Sequence, residues 1–547
     1  MATVPTEERR TGPEIAARTG EQFLEGLRGD AREIWLNGER ITHPLEHEEL
    51  HAAAESMGRV FDLQHEHADE MLAPSPDDGR LVNVTHLIPR SQDDLERRRH
   101  AIELTASLSA GMMGRTPDYL NVTFACFAGR ADVWARRGNE QGAENMVAYQ
   151  KLMRDGDLST THALMNPQVD RTKPEAEQAA GEIALHKIGE SDDAIVVRGA
   201  RMLATLAPFA DELLIYPGSD IRPQDGRYAL SFAIPIATPG LKLICRDSYS
   251  KQRPAFDYPL SSRFDEMDCV VIFDDVEVPK ERVFLDGDTV GYSEVITDTG
   301  WRGHIMHQAF TRAYVKLCFA FGLGHLIANT IGVVRFDHIQ EKLGQIWNMC
   351  ELTRSAIVAG EAGSHLDEGG VWYPDDRPFL ALRGEMPKWL PRANELLQLI
   401  GGGGFMCTPS QADLDGPLRP LIDGFFQAAG ADAERRIRLF RLAWDYLGSD
   451  LGGRGELPVQ GRSWAVPVLP LTSDDEAARP RSAHRPGPSH RRKDRGAPAT
   501  DARRCAIGGA RHALRLPVAP AAGRGQGQAR SEFLSELRRE PRGVDAA

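Results

Sequence analysis

The chain of 547 residues is long enough for more than one core, and its 41% hydrophobic and 26% charged content is that of a globular protein rather than a fibrous or disordered one. A net charge of −14 argues against a nucleic-acid partner, since binding phosphates needs a basic face. Seven cysteines scattered without C-x-x-C spacing point to reduced thiols, not to a disulfide framework or a zinc ribbon. There is no run of about 18 apolar residues to span a membrane, and the polar start MATVPTEERRTGPE lacks the apolar centre of a secretory signal, so a cytoplasmic protein is expected.

Residues 1–157 read as mostly helical. Ser91 is an N-cap candidate before Asp93-Asp94-Leu95-Glu96, and Pro117 suits the first position of a helix that follows the breaks at Gly111 and Gly114. Residues 158–290 change to short β-type runs: 194–197, 213–216, 228–234, 241–245 and 269–279. Pro, Gly and Asp separate them, as in a small barrel or sandwich. Residues 291–456 return to helix. Ile339, Leu343, Ile346, Cys350, Thr353 and Ile357 form one apolar stripe, and 314–331 is apolar nearly all round, as for a helix buried in a bundle. Gly401 to Gly404 breaks the helical pattern.

The 457–547 segment departs from everything before it. It carries 17 basic residues, 16 of them arginine, against 9 acidic ones in an otherwise acidic chain. Its Arg, Pro, Ala and Gly content is that of a disordered tail. It is also what an out-of-frame reading of a GC-rich gene would produce, which resequencing of the gene end would decide.

The chemistry-bearing residues gather in two motifs about 50 residues apart. Gly114-Arg115-Thr116-Pro117-Asp118-Tyr119 offers a forked cation and a phenol on one helical face. Thr161-His162-Ala163-Leu164-Met165-Asn166-Pro167-Gln168-Val169-Asp170-Arg171 offers an imidazole able to work near neutral pH, an amide, and an arginine suited to a pyrophosphate. His304 and His307 share a helix face, but no carboxylate stands near them in sequence, so no metal site is expected. No nicotinamide fingerprint appears.

Together these motifs resemble the 4-hydroxyphenylacetate 3-monooxygenase family, the oxygenase components of two-component flavin-dependent aromatic hydroxylases. The likeness runs from about Arg10 to Glu456. It takes in Gly199-Ala200-Arg201, the ordered segment from Phe256-Asp257 to Asp268, and Asp413-Leu414, while the run 271–279 resembles the segment that leaves the β domain in the acyl-CoA dehydrogenase superfamily. It implies an α+β, acyl-CoA dehydrogenase-like fold: an N-terminal helical domain (1–157), a middle β-barrel domain (158–290) and a C-terminal helical bundle (291–456). It implies hydroxylation of a phenol ortho to its OH with reduced FAD and O2. The flavin would come from a separate NAD(P)H:flavin reductase, and the chains would assemble as homotetramers. Arg115, Tyr119 and His162 take the catalytic roles. Arg115, Thr116, Pro117, Asp118, Tyr119, His162 and the mobile loop Pro217-Gly218-Ser219 bind substrate. His162, Ala163, Leu164, Gln168, Val169, Asp170, Arg171 and Thr205 bind the cofactor.

From the residues alone a plainer use is open to each: an Arg115–Asp118 pair at a helix start, a polar turn at 166–171, a strand threonine at 205, an ordinary turn at 217–219. The rival activities are an FAD and [4Fe-4S] dehydratase, an acyl-CoA dehydrogenase using Glu351 or Glu361 as base, and an inactive relic. The dehydratase reading asks for a cysteine seven residues after His307, where Tyr314 stands.

Overall fold

The structure, a computed structural model, describes residues 14–170, 172–218 and 221–456. The expectations placed on Arg171, on Ser219 and on 457–547 lie outside those residues.

Helices dominate up to Asp155, strands from Thr160 to Asp286, and helices again from Thr289. This is the expected α+β order. Ser91 caps the helix Gln92–Leu108 by accepting the N–H of Asp94. The next long helix, Asp118–Gly129, starts one residue after Pro117, whose φ of −51° is already helical. The helix Trp301–Thr330 is buried on nearly every side, and the helix Asp337–Ala362 buries each residue of the apolar stripe named above. Four glycines end the helix Met386–Gly401, with Gly402 at φ +57°.

The β region is built from two sheets. One has six strands in the order Glu39–Ile41, Glu33–Leu36, Leu241–Cys245, Asp268–Pro279, Ala194–Thr205, His186–Glu190. The other runs Val283–Asp286, Leu230–Pro235, Glu212–Ile215, Thr160–His162. They meet through a shared apolar core in which Phe232 and Phe273 stand edge to face.

Two strands of the six-stranded sheet come from the segment expected to be mostly helical. Glu33–Leu36 and Glu39–Ile41 form a hairpin whose first strand lies parallel to Leu241–Cys245. The turn is Asn37-Gly38, both at positive φ (52° and 83°). Asn-Gly between alternating residues is a strong hairpin signal, and here it ties the N-terminal segment into the β core.

Candidate active site

The Asp118–Gly129 helix is buried over almost its whole length, so its first turn must satisfy polar groups without water. Asp118 does this locally. It accepts Oγ1 of Thr116 at 2.6 Å and Nε2 of Gln308, from the long C-terminal helix, at 2.8 Å. Burial pushes its carboxyl up. Asp118 is therefore spoken for by neutral donors, and the simple Arg115–Asp118 pair does not form. The Arg115 guanidinium instead lies over the Tyr119 ring, 4.2 Å from its centroid, with Nη1 donating to the Gly114 carbonyl at 3.0 Å.

His162 reaches the same place from the β region. Its strand, Thr160–His162, pairs in parallel with Glu212–Ile215, with His162 opposite Leu214. The imidazole stands edge-on to Tyr119 (centroids 5.3 Å apart) and to Tyr216 (5.4 Å). Its Nδ1 is 2.7 Å from the Tyr216 hydroxyl. Arg115, Tyr119, His162 and Tyr216 thus form one contiguous group, in which Tyr119, His162 and Tyr216 are buried. Burial, then the Arg115 charge, hold His162 well below the ordinary histidine range. Burial and the neighbouring Tyr119 phenol push Tyr216 well above the usual range. The imidazole is neutral and the phenol protonated at physiological pH. In the tautomer where Tyr216 donates to Nδ1, the single ring proton of His162 is on Nε2, which then faces a ligand as a donor.

Tyr216 had no role in the sequence reading, where it closes the run Leu213-Leu214-Ile215-Tyr216. The signal that could have found it is that this strand end lies just before the Pro217-Gly218 loop.

The other expected residues lie on the segment that follows His162, on the 217–218 turn and at the end of the strand Ala194–Thr205. Ala163 N–H donates to Leu214 O at 3.3 Å, and Leu164 O accepts Nη1 of the buried Arg201 at 2.9 Å. Gly218 packs against Leu164, with Pro217 buried beside it. Gln168 and Val169 are exposed on the loop beyond. Asp170 accepts the N–H and Oγ1 of Thr172 at 3.0 and 2.6 Å and so closes its own turn. Thr205 donates to Asp268 at 2.7 Å.

Models of the N- and C-terminal parts of 4-hydroxyphenylacetate 3-hydroxylase match residues 19–285 and 292–458. The chain belongs to this hydroxylase family. It is 38% identical over 441 residues to the 4-hydroxyphenylacetate 3-monooxygenase oxygenase component of Thermus thermophilus, a match covering 81% of this chain and 90% of that protein. It is 32% identical to the oxygenase component of a Rhodococcus 4-nitrophenol 2-monooxygenase, over 81% of this chain and 85% of that one. A crystal structure of the oxygenase component HpaB, complexed with FAD and 4-hydroxyphenylacetate, superposes with a TM-score of 0.78 at 37% identity, covering 82% of this chain and 94% of that one. A 4-hydroxybutyryl-CoA dehydratase of N. maritimus shares the fold, with a TM-score of 0.75 at 19% identity.

His304 and His307 are packed inside the hydroxylase's helical bundle. His304 Nδ1 is 3.0 Å from Nη2 of Arg98, and His307 Nε2 is 2.8 Å from Glu361, which also holds Arg99 at 2.7 Å. The carboxylate absent from their sequence neighbourhood is supplied by another helix, 54 residues away. Among the described residues, no group of three or more His, Cys, Asp or Glu side chains is arranged to hold a metal ion.

Burial is the largest influence on both, as on His162, and all three sit below the ordinary histidine value. The unfolded chain takes up protons on these rings near pH 6.5 and the folded chain does not. Stability is therefore lost as pH falls from about 6.5 towards the depressed values. The melting temperature should drop between about pH 7 and pH 5, and less steeply in His304→Gln. Scanning calorimetry giving equal slopes for the two proteins would contradict this.

Proposed function

We propose that Arg115, Tyr119 and His162 hold a phenol by its oxygen and make its ring electron-rich. The protein is a flavin-dependent aromatic monooxygenase that hydroxylates a phenolic substrate with reduced FAD and O2. The reaction balances as phenol plus O2 plus reduced FAD giving catechol, water and FAD. Reduced FAD, when bound, supplies the electron pair that lets one oxygen atom enter the ring and the other leave as water. The convergence of a guanidinium, a phenol and a neutral imidazole in one group, from elements far apart in sequence, carries this reading.

Each side chain has a definable task. The Arg115 cation stabilises the phenolate over the phenol, and the more negative oxygen enriches the ring carbon ortho to it. Tyr119 fixes the plane of the guanidinium. Neutral His162 donates from Nε2 to the oxygen anion, and Tyr216 sets that tautomer. The buried walls of the group strengthen these interactions by keeping water out.

The residues present fit a flavin. Met165 and Val169 leave apolar side chains open (43% and 60% exposed) beside the exposed Gln168 amide, a suitable surface for a planar ring with polar edges. Gln168, Ala163, Leu164 and Thr205 would be among the residues that hold it. The match to oxygenase components supports a separate NAD(P)H:flavin reductase as electron donor. Homotetramer assembly through the C-terminal helices is supported by Leu418, Leu421 and Phe425, at least half exposed on consecutive turns. No helix is long and apolar enough to cross a membrane among the described residues, which suits work in the cytoplasm. A 4-hydroxyphenyl acid is the substrate class we favour.

The test is turnover. Purified protein, photoreduced FAD, O2 and 4-hydroxyphenylacetate or 4-nitrophenol should yield a catechol with one added oxygen, seen by mass spectrometry. FAD binding without an oxygenated product from any phenol would overturn the proposal.

A further inference from the structure

The backbone that carries Arg115 is held from outside its own helix. Glu266, completely buried just before the strand Asp268–Pro279, accepts two consecutive N–H groups on Oε1: that of Gly114, and that of Arg115 at 2.6 Å. Its Oε2 lies 2.9 Å from Nη1 of Arg454, in the helix Asp450–Glu456. The same guanidinium meets both oxygens of Asp268, at 2.6 and 2.7 Å from Nε and Nη2. Asp268 also accepts Oγ1 of Thr205 at 2.7 Å and Nε of Arg246 at 3.1 Å. Arg454 therefore bridges the Arg115 turn and Thr205, with 7% of its side chain exposed.

This geometry restricts the turn strongly. Two successive N–H groups aimed at one carboxylate oxygen fix the orientation of both peptide planes, and charge-assisted bonds of this kind are about twice as strong as neutral ones. A Cβ at position 114 would lie 2.6 Å from the Arg312 guanidinium, so any side chain there would have to push that group aside. The turn can neither slide nor flip while Glu266 is in place. Arg115 is then presented to Tyr119 from a rigid base, and catalytic groups lose rate steeply when displaced by about 1 Å.

We propose that Glu266 is the positioning residue for Arg115, and that Arg454 from the C-terminal helix holds Glu266 in the orientation that does this. The inference rests on the reading that Arg115 binds the phenol. It adds that placement of the phenol depends on a buried clamp between the β region and the last described helix. Neither clamp residue touches the phenol.

The experiment compares Glu266→Leu, Glu266→Gln and Arg454→Met with wild type, using photoreduced FAD, O2 and 4-hydroxyphenylacetate. KM, kcat, the FAD dissociation constant and the melting temperature are read for each. Glu266→Leu and Arg454→Met should raise KM for the phenol at least tenfold, while kcat falls less and, in Glu266→Leu, FAD affinity stays within about twofold. Glu266→Gln keeps an acceptor oxygen for both N–H groups and should recover most of the lost affinity. A purely structural role would lower melting temperature and active fraction while leaving KM untouched. Folded Glu266→Leu with wild-type KM overturns the proposal. If Glu266→Leu does not fold, wild-type KM in Arg454→Met does the same. Arg115→Ala in the same assay separates the two readings. If it keeps wild-type kinetics, the phenol site itself is wrong; if it is impaired while the clamp variants are not, only the clamp is.

Discussion

Arg115→Ala should lower kcat/KM for a 4-hydroxyphenyl acid by about 100-fold or more, the larger part of it in KM. A hydrogen bond from a charged donor contributes roughly 1.5–3 kcal/mol, and the guanidinium also orients the Tyr119 ring from 4.2 Å, a cation–π contact of about 0.5–1 kcal/mol. Each 1.36 kcal/mol is about tenfold in rate. Arg115→Lys should recover only part of the loss. An ammonium keeps the charge but loses the planar fork that both stacks on Tyr119 and points at an oxygen. Steady-state kinetics with photoreduced FAD checks this, and kcat/KM within threefold of wild type in Arg115→Ala would contradict it.

His162→Ala should lower kcat about 100-fold or more, from the lower end of the usual range for a side chain that handles a proton or holds an oxygen anion. His162→Gln, whose Nε2 can stand where the imidazole Nε2 stood, should recover about tenfold of that. The pH profile is the sharper readout. Burial and Arg115 hold the imidazole well below its ordinary value. Between about pH 6 and 8 the ring is then already neutral, and kcat should show no acid limb near pH 6.5. A limb there that disappears in His162→Gln would show a histidine titrating normally, and the neutral-donor role would fail.

Much of the scaffold was legible because local patterns report local structure. The stripe from Ile339 to Ile357 is buried as spaced, Ser91 caps as its position suggests, and the strands near 194–205, 212–215, 230–235, 241–245 and 268–279 lie close to the apolar runs. The Asn37-Gly38 hairpin signal is equally local, but reading residues 1–157 as mostly helical passes over it. The partners of the site residues were a different matter. Tyr216 lies 54 residues from His162, Glu266 lies 151 from Arg115, and Gln308 lies 190 from Asp118. Spacing along one helix or strand carries no information about which distant side chain meets it.

Asp118 shows the consequence. An acid three residues from Arg115 looked like its natural partner. Inside a buried helix start, however, the carboxylate is worth more as acceptor for Thr116 and Gln308, which leaves the guanidinium for the Tyr119 face. The family match stops at residue 458, next to the change to Arg-rich composition. Arg454, four residues earlier, is fully engaged in the core.

The most direct test of phenol polarisation uses 4-nitrophenol, whose anion is coloured. Titrated with pH in the presence of the protein and FAD, the bound phenol should lose its proton at a lower pH than in free solution, and the shift should vanish in Arg115→Ala. A bound phenol that titrates as it does in water, or a shift that survives loss of Arg115, would contradict the account.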